Sequence, residues 1–248
     1  MKLLNGATLR TLQYGSMMLA ASALVACGGN DVGSAPTATI SGTTAVGAAL
    51  ASANVTLTCK NGSGSTTSDS NGAYKATFSF DGPCVITASG GSVTIHSFAA
   101  GSGTYNVTPL TELLLSYLAG QLGTTESALL AGISSNASYQ SALSNSTVIA
   151  NAEAAVAKLI KDKYGITLSS SSFLTVAFTP GSAGADSDLD TLQTAGAITS
   201  NGQPAAALAA AALAAGQAAP ISGGGTGGNP TGGTGGTGGS GGTGTSTK

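Results

Sequence analysis

The chain has 248 residues, of which 7% are charged and 4% aromatic, with 38 glycines and a formal net charge of −2. Eight Lys plus Arg cannot assemble the basic patch that phosphate contacts require, so nucleic acid is excluded as a partner. A single histidine, His96, and the absence of any phosphate loop, Gly-x-Ser-x-Gly elbow or zinc-type Cys/His spacing leave no residue assigned as catalytic, no metal site and no cofactor expected.

Lys2 and Arg10 precede an apolar run from Met17 to Ala26. Such a run is well short of the ~20 residues a membrane-spanning helix needs, so residues 1–26 are predicted to be a secretory signal that is removed. Leu24-Val25-Ala26-Cys27 closes this run and resembles the bacterial lipobox. The resemblance implies that Cys27 carries a diacylglycerol and a further amide-linked chain of the palmitate kind, a stable anchor at about 0.8 kcal/mol per buried CH₂. An ordinary signal peptide with a fortuitous Cys27 is the alternative. Gly28 and Gly29 follow Cys27 where the lipoprotein sorting rule places Asp for inner-membrane retention. A lipid-anchored protein of the bacterial envelope, at the outer membrane, is therefore expected. Loss of Lys2 and Arg10 leaves six basic and ten acidic side chains, so attachment rests on lipid and not on charge.

Residues 27–36 read as a Gly/Ser/Asn/Asp/Pro tether. Six short runs rich in Val, Ile, Thr, Phe and Tyr follow, at 37–43, 53–60, 73–80, 84–89, 92–98 and 103–107, separated by Gly/Asn/Asp/Ser clusters. That cadence predicts an antiparallel β-sandwich over residues 37–107. Val55, Leu57 and Cys59, and again Tyr74, Ala76, Phe78 and Phe80, alternate as half-buried strands do.

The stretch from Gly47 to Leu57, with the later Asp69-Ser70-Asn71-Gly72-Ala73-Tyr74, is similar to the carboxypeptidase regulatory-like, or transthyretin-like, domain. There a small-residue turn leads into one strand and an Asp-x-x-Gly-x-Tyr turn opens the next. Ser52 stands where that family usually has Gly. The resemblance covers residues 37–107, implies seven strands in a sandwich, and implies no catalytic residue.

From Thr108 the pattern turns helical. Thr108 and Pro109 suit the N-cap and first position of a helix carrying Leu110, Leu113, Leu114, Tyr117 and Leu118 on one stripe. Shorter helices are predicted over 125–131 and 137–143. The strongest, 146–164, carries Val148, Ile149, Ala152, Val156, Leu159 and Ile160 and is closed by Gly165. Residues 205–219 are almost all Ala between Pro204 and Pro220 and predict a surface or docking helix. The helical region thus covers 108–219, giving an α+β chain, and the Gly/Thr-rich 220–248 is expected to be a disordered tail.

With Cys27 lipidated, Cys59 and Cys84 are an even pair in an oxidising compartment and predict a disulfide, with two free thiols as the alternative. Asp186, Asp188 and Asp190 alternate like the start of a calcium loop, but Thr191 and Ala197 stand where that loop needs Gly and Glu. They are read as N-capping a helix with Leu189 and Leu192. His96 is read as a hydrogen-bonded or exposed strand residue. Two functions remain: a non-enzymatic binding or structural accessory module with an envelope protein or glycan partner, or a hydrolase of glycan or peptide using a carboxylate pair such as Glu112 with Glu153 or an Asp. On helical spacing, Glu112 falls in a first helical turn and Glu153 on a solvent-facing stretch.

Overall fold

The computed structural model describes residues 36–221. The signal segment, Cys27, all but the last residue of the tether and the tail from residue 222 lie outside them.

Among the described residues seven strands come first in the chain: β1 (Thr37–Thr43), β2 (Asn54–Cys59), β3 (Gly62–Thr67), β4 (Ala73–Ser79), β5 (Cys84–Gly90), β6 (Val93–Ala99) and β7 (Gly103–Thr104). They make a three-stranded sheet ordered β4-β1-β7 and a four-stranded sheet ordered β3-β2-β5-β6. Ile40, Tyr74 and Ala76 of the first sheet share one core with Val55, Leu57, Ile86, Ala88 and Ile95 of the second. Each set falls on alternate positions of its strand, so the period of two in the sequence is the burial pattern of the sheets.

Two details differ from expectation. β1 and β7 run parallel, pairing Ile40 with Gly103, so the strands are not all antiparallel. After β6 the chain crosses to the other sheet and follows β1 in the same direction. Regular β7 ends at Thr104, but hydrogen bonds to β1 continue along the predicted strand, from the Tyr105 N–H to the Ser41 carbonyl at 2.7 Å and from the Val107 N–H to the Thr43 carbonyl at 3.0 Å, while the Asn106 N–H, on the other side of the chain, donates to the Leu174 carbonyl at 2.7 Å. The second difference is β3, Gly-Ser-Gly-Ser-Thr-Thr, which carries no apolar signal. Its glycines serve contact: a Cβ at Gly64 would meet Phe78 Cδ1 at 2.6 Å, and one at Gly62 would meet the Ser79 carbonyl oxygen at 2.1 Å.

The turn before β4 is built by Asp69, whose Oδ1 accepts the N–H groups of Asn71 and Ala73 at 2.8 and 2.9 Å. Gly72 there has φ +73° and backs onto the Thr44 carbonyl, which a Cβ would meet at 2.3 Å. Ser52 holds φ +54° and is the one non-glycine residue at positive φ among the described residues.

Six helices follow: α1 (Pro109–Gln121), α2 (Glu126–Gly132), α3 (Ala137–Leu143), α4 (Ser146–Tyr164), α5 (Ala185–Thr194) and α6 (Ala206–Gln217). The helical core gathers around α1, which is buried at every position from Pro109 to Gly120. β6 divides its side chains accordingly. Ile95 and Ala99 point into the core between the sheets, while Phe98 joins the helical core. The lobe therefore sits on the outer face of the four-stranded sheet.

On its other side α1 meets α6 through glycines. A Cβ on Gly120 would come 2.1 Å from the Leu213 carbonyl oxygen, and one on Gly216 would come 2.0 Å from that of Tyr117. Leu208, Ala212 and Gly216, four residues apart, form the buried stripe of α6. Alanine is thus used for close approach, and no helix among the described residues is long and apolar enough to cross a membrane. Asn145 caps α4 by accepting the N–H groups of Thr147 and Val148, and Gly165 closes it at φ +72°.

Candidate functional site

A cluster of buried and half-buried polar side chains lies where β6, α1 and α2 meet. Glu112, 2% exposed, sits in the first turn of α1 and faces β6. Its Oε1 accepts the His96 backbone N–H at 2.7 Å and lies 3.0 Å from His96 Nδ1. One turn further along α1, the Ser116 hydroxyl donates to Oε2 of Glu126 at the start of α2. The helix start is fixed to the same strand by Thr111, whose hydroxyl lies 2.7 Å from the His96 carbonyl and accepts the Thr108 N–H at 3.0 Å. Thr108 occupies the N-cap position, but its side chain makes no cap bond; Thr111 performs that role.

The charges interlock. The Glu112 carboxylate at its ring nitrogen raises His96 above its ordinary value, outweighing the opposing effect of burial. Burial chiefly pushes Glu126 up to about 7, with the neighbouring Glu112 carboxyl adding to it and the Ser116 bond opposing it. The second oxygen of Glu112 is buried with no hydrogen-bond partner among the described residues. Two carboxyls in contact do not both ionise readily. His96, Glu112, Ser116 and Glu126 thus form one polar cluster in which His96 and Glu126 both hold a proton more readily than they do in water. Chemically it is a proton-holding cluster, open to solvent on the half-buried His96 side.

Glu153 is elsewhere. It is buried on α4, and its Oε1 accepts the Leu174 N–H at 2.8 Å, so the solvent-facing position expected for it is wrong. Its neighbours Ala152 and Val156 are buried too, and the buried stripe of α4 is wide enough to include it. Burial raises its pKa, disfavouring the charged form, and the Leu174 bond opposes this. Glu153 lines a cavity of about 250 Å³ with Ala100, Tyr105, Ile149 and Leu174 among its walls, and Glu112 does not. The structure thus does not bring the Glu112–Glu153 pair together.

The segment that Glu153 holds is tied to the sheets by Asn106, fully buried. Its side-chain amide donates to the carbonyls of Phe173 and Val176 at 3.1 and 2.7 Å and accepts the Thr43 N–H at 3.2 Å.

Two of the three aspartates at α5 hold separate partners. Asp186 accepts the Gly181 N–H at 2.7 Å, and burial raises it. Asp188 accepts the backbone N–H and the hydroxyl of Ser169 at 2.8 and 2.6 Å. The N-cap is Gly184, two residues before the first aspartate, with Ser187 accepting its N–H at 3.1 Å; the acidic residues lie in the first turn instead. Cys59 and Cys84 are joined in a disulfide, at the next position of the register that pairs Thr58 with Val85. Cys27 is outside the described residues.

Glu126, Ser116 and Asn106 are the functional-looking residues that sequence reasoning missed. A signal existed for Glu126: a carboxylate one residue after the Thr125 N-cap, beside a mostly apolar helix. No protein-family model, curated protein or solved structure matches the chain.

Proposed function

We propose that this chain is a lipid-anchored protein of the bacterial envelope that acts as a non-enzymatic binding or structural accessory module, built on a transthyretin-like sandwich with a helical lobe. The anchor rests on the Leu24-Val25-Ala26-Cys27 sequence. The finer fold reading is supported by the two facing sheets, by the Asp69 turn and by the left-handed Ser52 at the position the family gives to Gly.

One observation carries the functional reading. The ionisable groups on which a hydrolase would depend are committed to joining elements: His96 and Glu112 fasten β6 to α1, Glu126 fastens α2 to α1, and Glu153 fastens α4 to the segment at Leu174. An envelope partner, protein or glycan, would then engage the surface of the sheets or the lobe.

A specific observation favours a second reading. Glu126, raised to about 7 beside Glu112 and His96, has the ionisation of a general acid. The hydrolase alternative therefore rests on Glu112 with Glu126 in place of Glu112 with Glu153. Assaying the purified full chain and its H96Q, E112Q and E126Q variants on glycan and peptide libraries separates the two. The module reading expects no turnover by any of them. Turnover by the parent chain that E112Q or E126Q abolishes while keeping its fold would replace it with the hydrolase reading. The anchor is tested separately by Cys27→Ser, which should abolish incorporation of radiolabelled palmitate.

A further inference from the structure

The cavity at Glu153 combines features that the fold alone does not require. It lies where the residues after β6 and β7, Ala100 and Tyr105, meet the start of α4 and the segment at Leu174. Such junctions between layers are common places for small ligands. Its walls are largely apolar, from Ala100, Ile149, Ala150 and Leu174, with Tyr105, Ser144, Ser146 and Thr175 as the polar residues beside Glu153.

Into this space opens a carboxyl that is 5% exposed. One oxygen is used by the Leu174 N–H. The other takes no hydrogen bond among the described residues and is not fully enclosed, and Glu153 is one of the residues that line the cavity. Among the described residues no charged side chain acts on it; burial and the Leu174 bond are what shift it. A buried carboxylate without a cation is costly, and half of its acceptor capacity here faces an apolar space.

We infer that this cavity binds a small organic ammonium ion, with the charge held at the free Glu153 oxygen and a short apolar body against Ile149, Leu174 and Tyr105. The inference goes beyond the accessory-module reading and stands without it, since it needs neither the anchor nor any statement about catalysis. An anion is disfavoured by Glu153, and a wholly apolar guest would leave the carboxyl as exposed to an apolar neighbour as before. The Tyr105 ring adds an aromatic surface of the kind that attracts cations. At about 250 Å³ the space suits a compact monoamine; sites for drug-sized ligands run to roughly 300–1,000 Å³.

The test is a two-dimensional NMR titration of the full-length chain with n-butylammonium, and with n-butanol as its neutral counterpart of similar size. Saturable shifts are expected at the amides of Leu174, Thr175 and Ile149, with butanol about tenfold weaker or more because it lacks the charge-assisted bond. Glu153→Gln keeps a carbonyl for the Leu174 N–H and should lose that preference. If this variant fails to fold, Ala150→Leu, which fills the mouth from an exposed position, should block binding in a folded chain. Absence of any saturable shift at millimolar amine, equal affinity for butanol, or unchanged amine binding in either folded variant would overturn the inference.

Discussion

Among the described residues, every group whose ionisation the fold clearly shifts is moved upward, and this makes stability depend on pH in an unusual direction. Glu126 goes from 4.5 to about 7, chiefly through burial. Glu153 and Asp186 are raised by burial, and His96 by the Glu112 carboxylate. A carboxyl raised on folding keeps its proton in the folded chain where the unfolded chain has released it. The folded state then binds more protons, and stability falls as pH rises through the interval between the two values, here 4.5 to about 7 for Glu126. His96 has the same sign: its contribution is complete below its ordinary 6.5 and is lost as pH rises through its higher folded value.

The magnitude for Glu126 follows from its two values. Moving a carboxyl from 4.5 to about 7 corresponds to at most about 3.4 kcal/mol, at ~1.36 kcal/mol per pH unit. Glu126 is only half-buried, so solvent screening reduces this to about 1–2 kcal/mol. Urea denaturation of the chain between about pH 4.5 and pH 8 should show stability declining as pH rises, where proteins held by salt-bridged carboxylates gain it. Glu126→Gln imitates the protonated acid, with an amide to offer the free Glu112 oxygen and a carbonyl for Ser116. It should match the parent near pH 4.5 and exceed it by about 1–2 kcal/mol near pH 8. Stability that rises between about pH 5 and 7, or a Gln variant that keeps the parent's full pH slope, would refute the reasoning.

Three further substitutions have outcomes whose sign is set by geometry. Gly216→Ala would normally favour a helix by about 0.8–1.0 kcal/mol; here the new Cβ meets the Tyr117 carbonyl oxygen at 2.0 Å, so thermal unfolding should instead move down, by about 1–3 kcal/mol in stability. Ser52→Gly should stabilise the chain by about 0.5 kcal/mol, since Ser52 pays the left-handed cost at φ +54° and Gly does not, while Ser52→Ala should bring no gain in the same melts. Replacing Cys59 and Cys84 together by Ala frees the loop that a separation of 25 residues closes, and denaturant titration should show a loss of roughly 3 kcal/mol.

The elements legible in the sequence are those whose burial is periodic. β1, β2, β4, β5, β6 and the helices from α1 to α4 lie within a residue or two of their predicted bounds, because the strands and α4 present an alternation or stripe to a core and the helices carry cap residues at their starts. β3 was not legible for the opposite reason. Its residues were selected for smallness against Phe78 and Ser79, and smallness resembles a loop when read along the chain. The parallel β7 was hidden as well, since the direction of a two-residue strand depends on where the crossover after β6 lands. In α6 the composition indicated a docking helix, but the partner, α1 through Gly120 and Gly216, appears only when two segments ninety-odd residues apart are in contact.

The candidate site was less legible because it is made of pairings between separate elements. His96 and Glu112 are 16 residues apart, on a strand and a helix, and nothing in their spacing states that the strand's outward face carries the helix's first turn. The clue is indirect: in β6, Phe98 is outward by the same alternation that turns Ile95 and Ala99 inward, so the outward face needs a cover. The first helix after the strand, apolar at every turn, is the segment that can provide it. Once α1 lies there, a first-turn carboxylate meets either a strand N–H or an apolar wall, and Glu112 meets the His96 N–H. Glu126 then follows from chain length alone. Only four residues separate α1 from α2, so the second helix must begin beside the last turns of the first, and its opening carboxyl is brought down onto Ser116 and Glu112. A proton retained near neutral pH is thus a consequence of covering one sheet face with an apolar helix and turning tightly after it.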